Sequence, residues 1–202
     1  MKKVKVAVLV SGGGTNLQAI LNAVDDRIIT SAEIKVVISN NPNAFALTRA
    51  ENHGVRGVCI NKKELGGLEF ENRLVALLKE LEIDLIVLAG FMCILSESFT
   101  KTFANRIINV HPALIPSFCG KGYYGLKVHE EALKYGVKVT GATVHFVNEI
   151  PDGGKIIAQK AVEILDGDTP EILQKRVMEQ AEWILLPRAI ESVSKDILMK
   201  RN

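Results

Sequence analysis

The sequence predicts an α/β fold, a mostly parallel twisted sheet with helices on both faces and antiparallel strands at its C-terminal end. Apolar runs of strand length recur at 4–10, 34–39, 57–60, 85–89 and 107–110, and helical patterns separate them at about 16–26, 44–53, 70–81 and 96–103. Strands apolar on both faces, alternating with helices, belong to a parallel sheet covered on each side. After residue 138 the rhythm changes: 139–148 and 155–165 read as two strands joined by a short turn, hence an antiparallel pair. One helix, about 170–196, closes the chain. Thr169 is placed to cap it, and Pro170 occupies its first turn, where no N–H is needed. Pro187 is expected to kink or divide it. No repeat, low-complexity stretch or linker interrupts the pattern, so 1–202 is read as one domain.

Composition narrows the function classes. The chain has 202 residues and is 48% hydrophobic, enough for one substantial core. Lys+Arg 25 against Asp+Glu 23 gives a net charge of +2, and aromatics are 5%. That balance argues against a nucleic-acid or membrane surface. No apolar run reaches the ~20 residues of a membrane span. The first strand follows Met1-Lys2-Lys3 with no small-residue cleavage site behind it, so no signal peptide is expected. Three irregularly spaced cysteines, Cys59, Cys93 and Cys119, fit reduced thiols in a cytoplasmic protein, with neither a disulfide framework nor a metal site.

Three segments carry chemistry. The strand at 107–110 delivers Asn109 and His111, which strand alternation places on one face. An amide and an imidazole side by side at a strand end can both donate to one developing oxyanion. About forty residues on, the turn Pro151-Asp152-Gly153-Gly154 holds a carboxylate that can orient or charge the imidazole. The same residues also fit a turn-bonding amide, a satisfied histidine and ordinary hairpin chemistry. Between the first strand and first helix lies Ser11-Gly12-Gly13-Gly14-Thr15-Asn16-Leu17. Its glycines let backbone amides approach an anion, and the helix dipole favours negative charge there. It is no dinucleotide fingerprint, because Leu17 stands at the third glycine and the second strand ends in Ser39-Asn40-Asn41 without an acid. A single phosphate held by Gly14, Thr15 and Asn16 suits it better. A strained turn capped by Asn16 is the other reading.

These segments, together with Leu88-Ala89-Gly90-Phe91-Met92-Cys93-Ile94-Leu95, resemble the folate-dependent phosphoribosylglycinamide formyltransferases over about residues 4–190. The order and spacing of the four motifs carry the resemblance. It implies a single-domain Rossmann-like formyltransferase fold, with a nucleotide-phosphate part at about 1–100 and a folate and catalytic part at about 85–165. It further implies formyl transfer from 10-formyltetrahydrofolate to the glycinamide amine of phosphoribosylglycinamide, without metal or covalent intermediate. Asn109, His111 and Asp152 would be catalytic, with Asp152 holding His111 protonated. Gly13, Gly14, Thr15, Asn16, Gly90 and Glu182 would bind the nucleotide, with Glu182 on the ribose hydroxyls. Met92, Cys93, Ile94, Leu95, Asn109, Asn148 and Asp152 would frame the folate. The partners expected are small molecules only, and the state a monomer or homodimer.

The sequence departs from that family at several points. Cys93 stands where arginine is usual, and Glu-Leu-Gly-Gly-Leu-Glu at 64–69 lacks a folate-contacting arginine. Trp183 replaces a histidine, and the stretch from Arg176 to Glu182 is one residue longer than usual. The segment 119–127, with three glycines, two tyrosines and two lysines, is several residues longer than usual and reads either as a flap over the site or as a functionless insertion. His53, His129 and His145 are read as structural. The nearest rival activity is a formyltetrahydrofolate deformylase, which generally carries a regulatory domain before the first strand, whereas this sequence begins at that strand. Methionyl-tRNA and sugar formyltransferases tend to be longer and lack the glycine loop. A phosphate-binding module without catalysis is the rival of another class.

Overall fold

The computed structural model describes residues 3–201. Seven strands form one sheet in the order β3-β2-β1-β4-β5-β6-β7. They are β1 (Val4–Val10), β2 (Ala32–Ser39), β3 (Gly57–Cys59), β4 (Leu85–Leu88), β5 (Ile107–His111), β6 (Val139–Phe146) and β7 (Ile156–Glu163). Strands β1 to β5 are mutually parallel, whereas β6 pairs antiparallel with both β5 and β7. The mixed sheet expected from the apolar runs is the one observed.

Helices cover both faces: α1 (Thr15–Asp25), α2 (Phe45–Asn52), α3 (Lys62–Glu80), α4 (Glu97–Thr102), α5 (Leu126–Tyr135), α6 (Pro170–Val177) and α7 (Trp183–Met199). Alternation along β1 divides the core. Val6, Val8 and Val10 pack with Leu17, Ile20 and Leu186 on one face, while Ala7 and Leu9 pack with Phe70, Leu74 and Phe99 on the other. Among the described residues no helix is long and apolar enough to cross a membrane.

Two local expectations are corrected. α3 begins at Lys62, eight residues before the expected start, because Asn61 accepts from Lys63 N–H and its amide donates to Glu64 at 2.6 Å. Gly66, at φ 75°, then breaks the helix internally, which hid its first turn from a periodicity reading. The closing helix does divide, but not at Pro187. A π turn, Met178–Glu182, separates α6 from α7, and Pro187 lies inside α7. The π turn takes up one extra residue in the helical path just before Trp183. Thr169 caps α6 from its side chain, with Pro170 in the first turn, as expected.

Glu191 anchors α7 to the sheet. Its carboxylate accepts from Thr30 N–H and Ser31 N–H, both at 2.9 Å, and from both hydroxyls, while Lys195 stands 3.1 Å away. Burial would raise its pKa, but the backbone amides of Ser31 and Thr30 prevail and hold it at about 2.

Candidate active site

The sheet topology reverses direction between β1 and β4, and crevices at the carboxyl ends of strands flanking such a point are where open α/β sheets bind ligands. The glycine loop leaves β1 there, Gly90 leaves β4 at φ 71°, and His111 ends β5. A cavity of about 770 Å³ opens at this edge, lined by Asn109, His111, Asp152, Gly90, Met92, Cys93, Ile94, Leu95, Asn148, Asn16 and Glu182. Gly13, Gly14 and Thr15 are not on its wall but abut its end. Asn16 Nδ2 donates to Glu182 Oε2 at 2.7 Å, and Thr15 Oγ1 lies 3.8 Å from Met178 Sδ. The structure therefore brings the two halves of the expected site into one depression.

Register explains the catalytic end. Asn109 lies opposite His145, and His111 opposite Thr143, across the β5–β6 pair. Thr143 Oγ1 donates to Ala113 O at 2.7 Å and accepts from Ile115 N–H, pinning the chain just after His111. His145 Nδ1 bonds to Phe146 O at 2.8 Å, which makes Nδ1 the protonated nitrogen and Nε2 an acceptor for Asn109 Nδ2 at 3.3 Å. One N–H of the Asn109 amide is thereby held, and the other remains for a ligand. Asp152, at φ 57°, reaches both rings: Oδ2 is 3.6 Å from His111 Nδ1, and Oδ1 is 3.6 Å from His145 Nε2. These distances are long for hydrogen bonds but close for charge interaction. Gly120 N–H donates to Asp152 Oδ2 at 2.8 Å.

His145 was expected to be structural. It instead forms part of the site wall and contacts both Asn109 and Asp152. Its signal lay in the pairing register, which alternation within a single strand does not reveal. His129, on α5, also lines the cavity, fully buried, and neither ring nitrogen has a hydrogen-bond partner among the described residues. Burial, then the neighbouring His111, drives its pKa down to about 4, so it is neutral at physiological pH.

The charge state of His111 also needs correction. Asp152 was expected to keep this ring protonated. Burial prevails instead, because His111 is 4% exposed, and its pKa lies below the ordinary value although Asp152 and the Phe118 carbonyl pull it upward. Nε2 bonds to Phe118 O at 2.8 Å, so in the neutral ring Nε2 carries the proton and Nδ1 offers a lone pair toward Asp152. Burial raises the Asp152 pKa, but His145, His111 and the Gly120 amide outweigh it and leave the carboxyl below its usual range. Glu182, 6% exposed, moves the other way: burial raises its pKa against the Asn16 amide.

The segment 119–127 contributes Gly120, Lys121, Gly122, Tyr123, Tyr124 and Gly125 to the cavity wall. Preceding it, Phe118 packs its ring against Tyr123 and Tyr135. Opposite, Met92 N–H donates to Ser11 Oγ at 2.8 Å, linking the β4 exit to the glycine loop, and Asn40 Nδ2 contacts Cys93 Sγ at 2.7 Å. Met92 and Ile94 are exposed, and Leu95 is buried at 9% exposure.

The formyl transferase family matches residues 4–190. A phosphoribosylglycinamide formyltransferase of Haemophilus influenzae is 42% identical over 188 residues, covering 93% of this chain and 85% of that one. The trifunctional purine biosynthetic protein adenosine-3 of Gallus gallus is 45% identical over 193 residues, 95% of this chain, which spans only 18% of that relative's length. The crystal structure of glycinamide ribonucleotide transformylase 1 from Symbiobacterium toebii superposes with a TM-score of 0.89 at 38% identity, covering 96% of this chain and 89% of that one. With an amide, an imidazole and a carboxylate gathered at the end of β5 in a chain so matched along its length, this protein belongs to the formyl transferase family.

Proposed function

We propose that this protein transfers a formyl group from 10-formyltetrahydrofolate to the glycinamide amine of phosphoribosylglycinamide, a step of purine biosynthesis. The observation that carries the proposal is the convergence of Asn109, His111 and Asp152 in one cavity whose other end abuts the glycine loop. In the transfer the amine nitrogen bonds to the formyl carbon, the bond from that carbon to N10 breaks, and one proton passes from the amine to N10. Asn109 has one N–H available for the oxyanion that develops in between. His111 starts neutral. A proton taken up at Nδ1 turns it into a cationic donor whose charge Asp152, 3.6 Å away, offsets.

The remaining residues sort by position. The exposed Met92 and Ile94, with Leu95 and the turn from Asn148 to Asp152, form a largely apolar wall that suits a pterin ring. Cys93 supplies no cation there. Recognition of the pterin through backbone amides and carbonyls is unaffected by that change, whereas any contact a guanidinium would make is lost. Glu182, locked to Asn16, faces the nucleotide end, where its carboxyl oxygens suit ribose hydroxyls. The phosphate falls to the amides of the glycine loop.

The direct test is release of tetrahydrofolate from 10-formyltetrahydrofolate with and without phosphoribosylglycinamide. Dependence on the amine supports transfer. Equal release without it identifies a hydrolase of the deformylase type, and failure to bind the folate at all leaves a phosphate-binding module.

The loop yields a second expectation. A side chain at Gly13 meets nothing within 4 Å, whereas one at Gly14 strikes Ala46 Cβ at 2.7 Å, and Gly14 sits at φ 72°. Gly13→Val is therefore expected to fold normally and raise the KM for the nucleotide about tenfold by crowding the anion, with little change in the folate KM. Equal KM values for the dephosphorylated substrate and the nucleotide in the unmodified protein would remove the phosphate from the loop.

A further inference from the structure

The carbonyls of the glycine loop are all spoken for. Gly12 O accepts from Ala46 N–H at 3.1 Å, Gly13 O accepts from Arg49 Nε at 2.8 Å, and Gly14 O accepts from Gln18 N–H at 2.9 Å. In a trans peptide the carbonyl and the following N–H point in opposite directions. Fixing Gly12 O and Gly13 O against α2 therefore turns the N–H groups of Gly13 and Gly14 away from α2. Neither amide has an acceptor among the described residues. Glycine peptide planes rotate easily, so without such ties the Gly13–Gly14 plane can turn its carbonyl toward an incoming anion.

Only one of these ties is a side chain. Arg49 is itself held in place, with Nη1 donating to Gln18 Oε1 at 2.9 Å and Cζ lying 5.0 Å from the Phe45 ring centre. Gln18 Nε2 in turn meets Asn22 Oδ1 at 2.9 Å and His53 Nε2 at 3.2 Å, and His53 Nδ1 bonds back to Arg49 O at 2.9 Å. With Nδ1 as donor to a carbonyl, the neutral His53 ring accepts at Nε2, which fixes Gln18 with its oxygen toward Arg49. The network is closed and points one way: its hydrogen bonds orient the guanidinium at the back of the loop.

We infer that Arg49 is a positioning residue for phosphate recognition: it locks the Gly13–Gly14 peptide with its N–H toward the anion and places a fixed positive charge behind the loop. The inference rests on the reading of this loop as the phosphate site, and it goes beyond that reading by assigning the orientation of the loop to a helix that lines no part of the cavity. A guanidinium suits the task, because its planar fork serves Gly13 O and Gln18 Oε1 together.

The test uses Arg49→Met and Arg49→Lys, with two readouts. In the first, inorganic phosphate is titrated as an inhibitor competing with the nucleotide. In the second, KM for both substrates and kcat are measured. Arg49→Met is expected to raise the nucleotide KM and the phosphate inhibition constant in parallel by about tenfold or more, with kcat and the folate KM within twofold of the unmodified protein. Arg49→Lys, which keeps charge but not the fork, is expected to fall between the two. Unchanged nucleotide KM and phosphate inhibition in both variants would overturn the inference. If Arg49→Met fails to fold, Arg49→Lys decides alone: it must still weaken phosphate inhibition measurably. Failure of the phosphate reading itself looks different, because phosphate then fails to compete in the unmodified protein.

Discussion

Asn109→Ala is expected to lower kcat by about 10²–10³, the usual loss when one oxyanion donor is removed, with the KM of both substrates changed only a few-fold. The amide contributes little to folding, since its one side-chain partner among the described residues is His145 Nε2 at 3.3 Å. His111→Ala should cost at least as much, because it removes both a donor and the proton acceptor and leaves Asp152 facing an emptied position. Thermal stability should fall modestly in that variant, as the bond to Phe118 O is lost with it. Steady-state kinetics at saturating substrates, with circular dichroism to confirm the fold, check both. Near-normal kcat in either variant would remove that residue from the oxyanion site.

The largest expected effect on stability lies elsewhere, at Glu191. Glu191→Ala leaves the Thr30 and Ser31 amides without their acceptor and frees α7 from the start of β2. Loss of four hydrogen bonds from partly buried donors to one carboxylate puts the cost at about 3 kcal/mol, or a fall of about 6–12 °C in Tm for a chain of this size. The pH dependence follows from a folded pKa of about 2 against an ordinary value of 4.5. A depressed carboxylate stabilises the fold fully above about pH 4.5, and the contribution disappears as pH falls toward 2. Glu191→Gln should therefore be less stable than the unmodified protein at pH 7, with the gap closing between pH 4.5 and 2. A Tm difference independent of pH would show that the carboxylate charge is not what α7 depends on.

Much of the fold was legible because buried parallel strands leave apolar runs that little else produces. The run at 4–10 coincides with β1, and 85–89 exceeds β4 by one residue. His111 was placed just beyond its strand, because an imidazole interrupts apolarity. It extends β5 only through pairing with Thr143, a contact that exists after the sheet has formed. The first turn of α3 escaped because Gly66-Gly67 looks like a breaker, although Asn61 and Glu64 already had the spacing of a capping box.

The site divides along the same line. Asn109, His111 and Asp152 were readable from local pattern and resemblance, and the structure brings them together. His145 was not, since its role comes from lying across the sheet from Asn109. The charge on His111 was misjudged because sequence shows the nearby carboxylate but not the degree of burial, and burial decides the direction here. Asp152 still opposes it, so Asp152→Asn should lower the His111 pKa further, as read by NMR titration of the ring, and kcat should drop by about tenfold or more. An unchanged His111 pKa with unchanged kcat would return Asp152 to the hairpin turn.

The central claim, that this cavity delivers a formyl group to an amine, is tested most directly by following the carbon itself. 10-Formyltetrahydrofolate labelled with ¹³C at the formyl group is mixed with the protein and phosphoribosylglycinamide, and the label is traced by NMR. The account predicts that the label appears in the N-formyl group of the glycinamide product, at a rate that collapses in Asn109→Ala. Label released as free formate, or label that remains on the folate while the nucleotide stays bound, would contradict it.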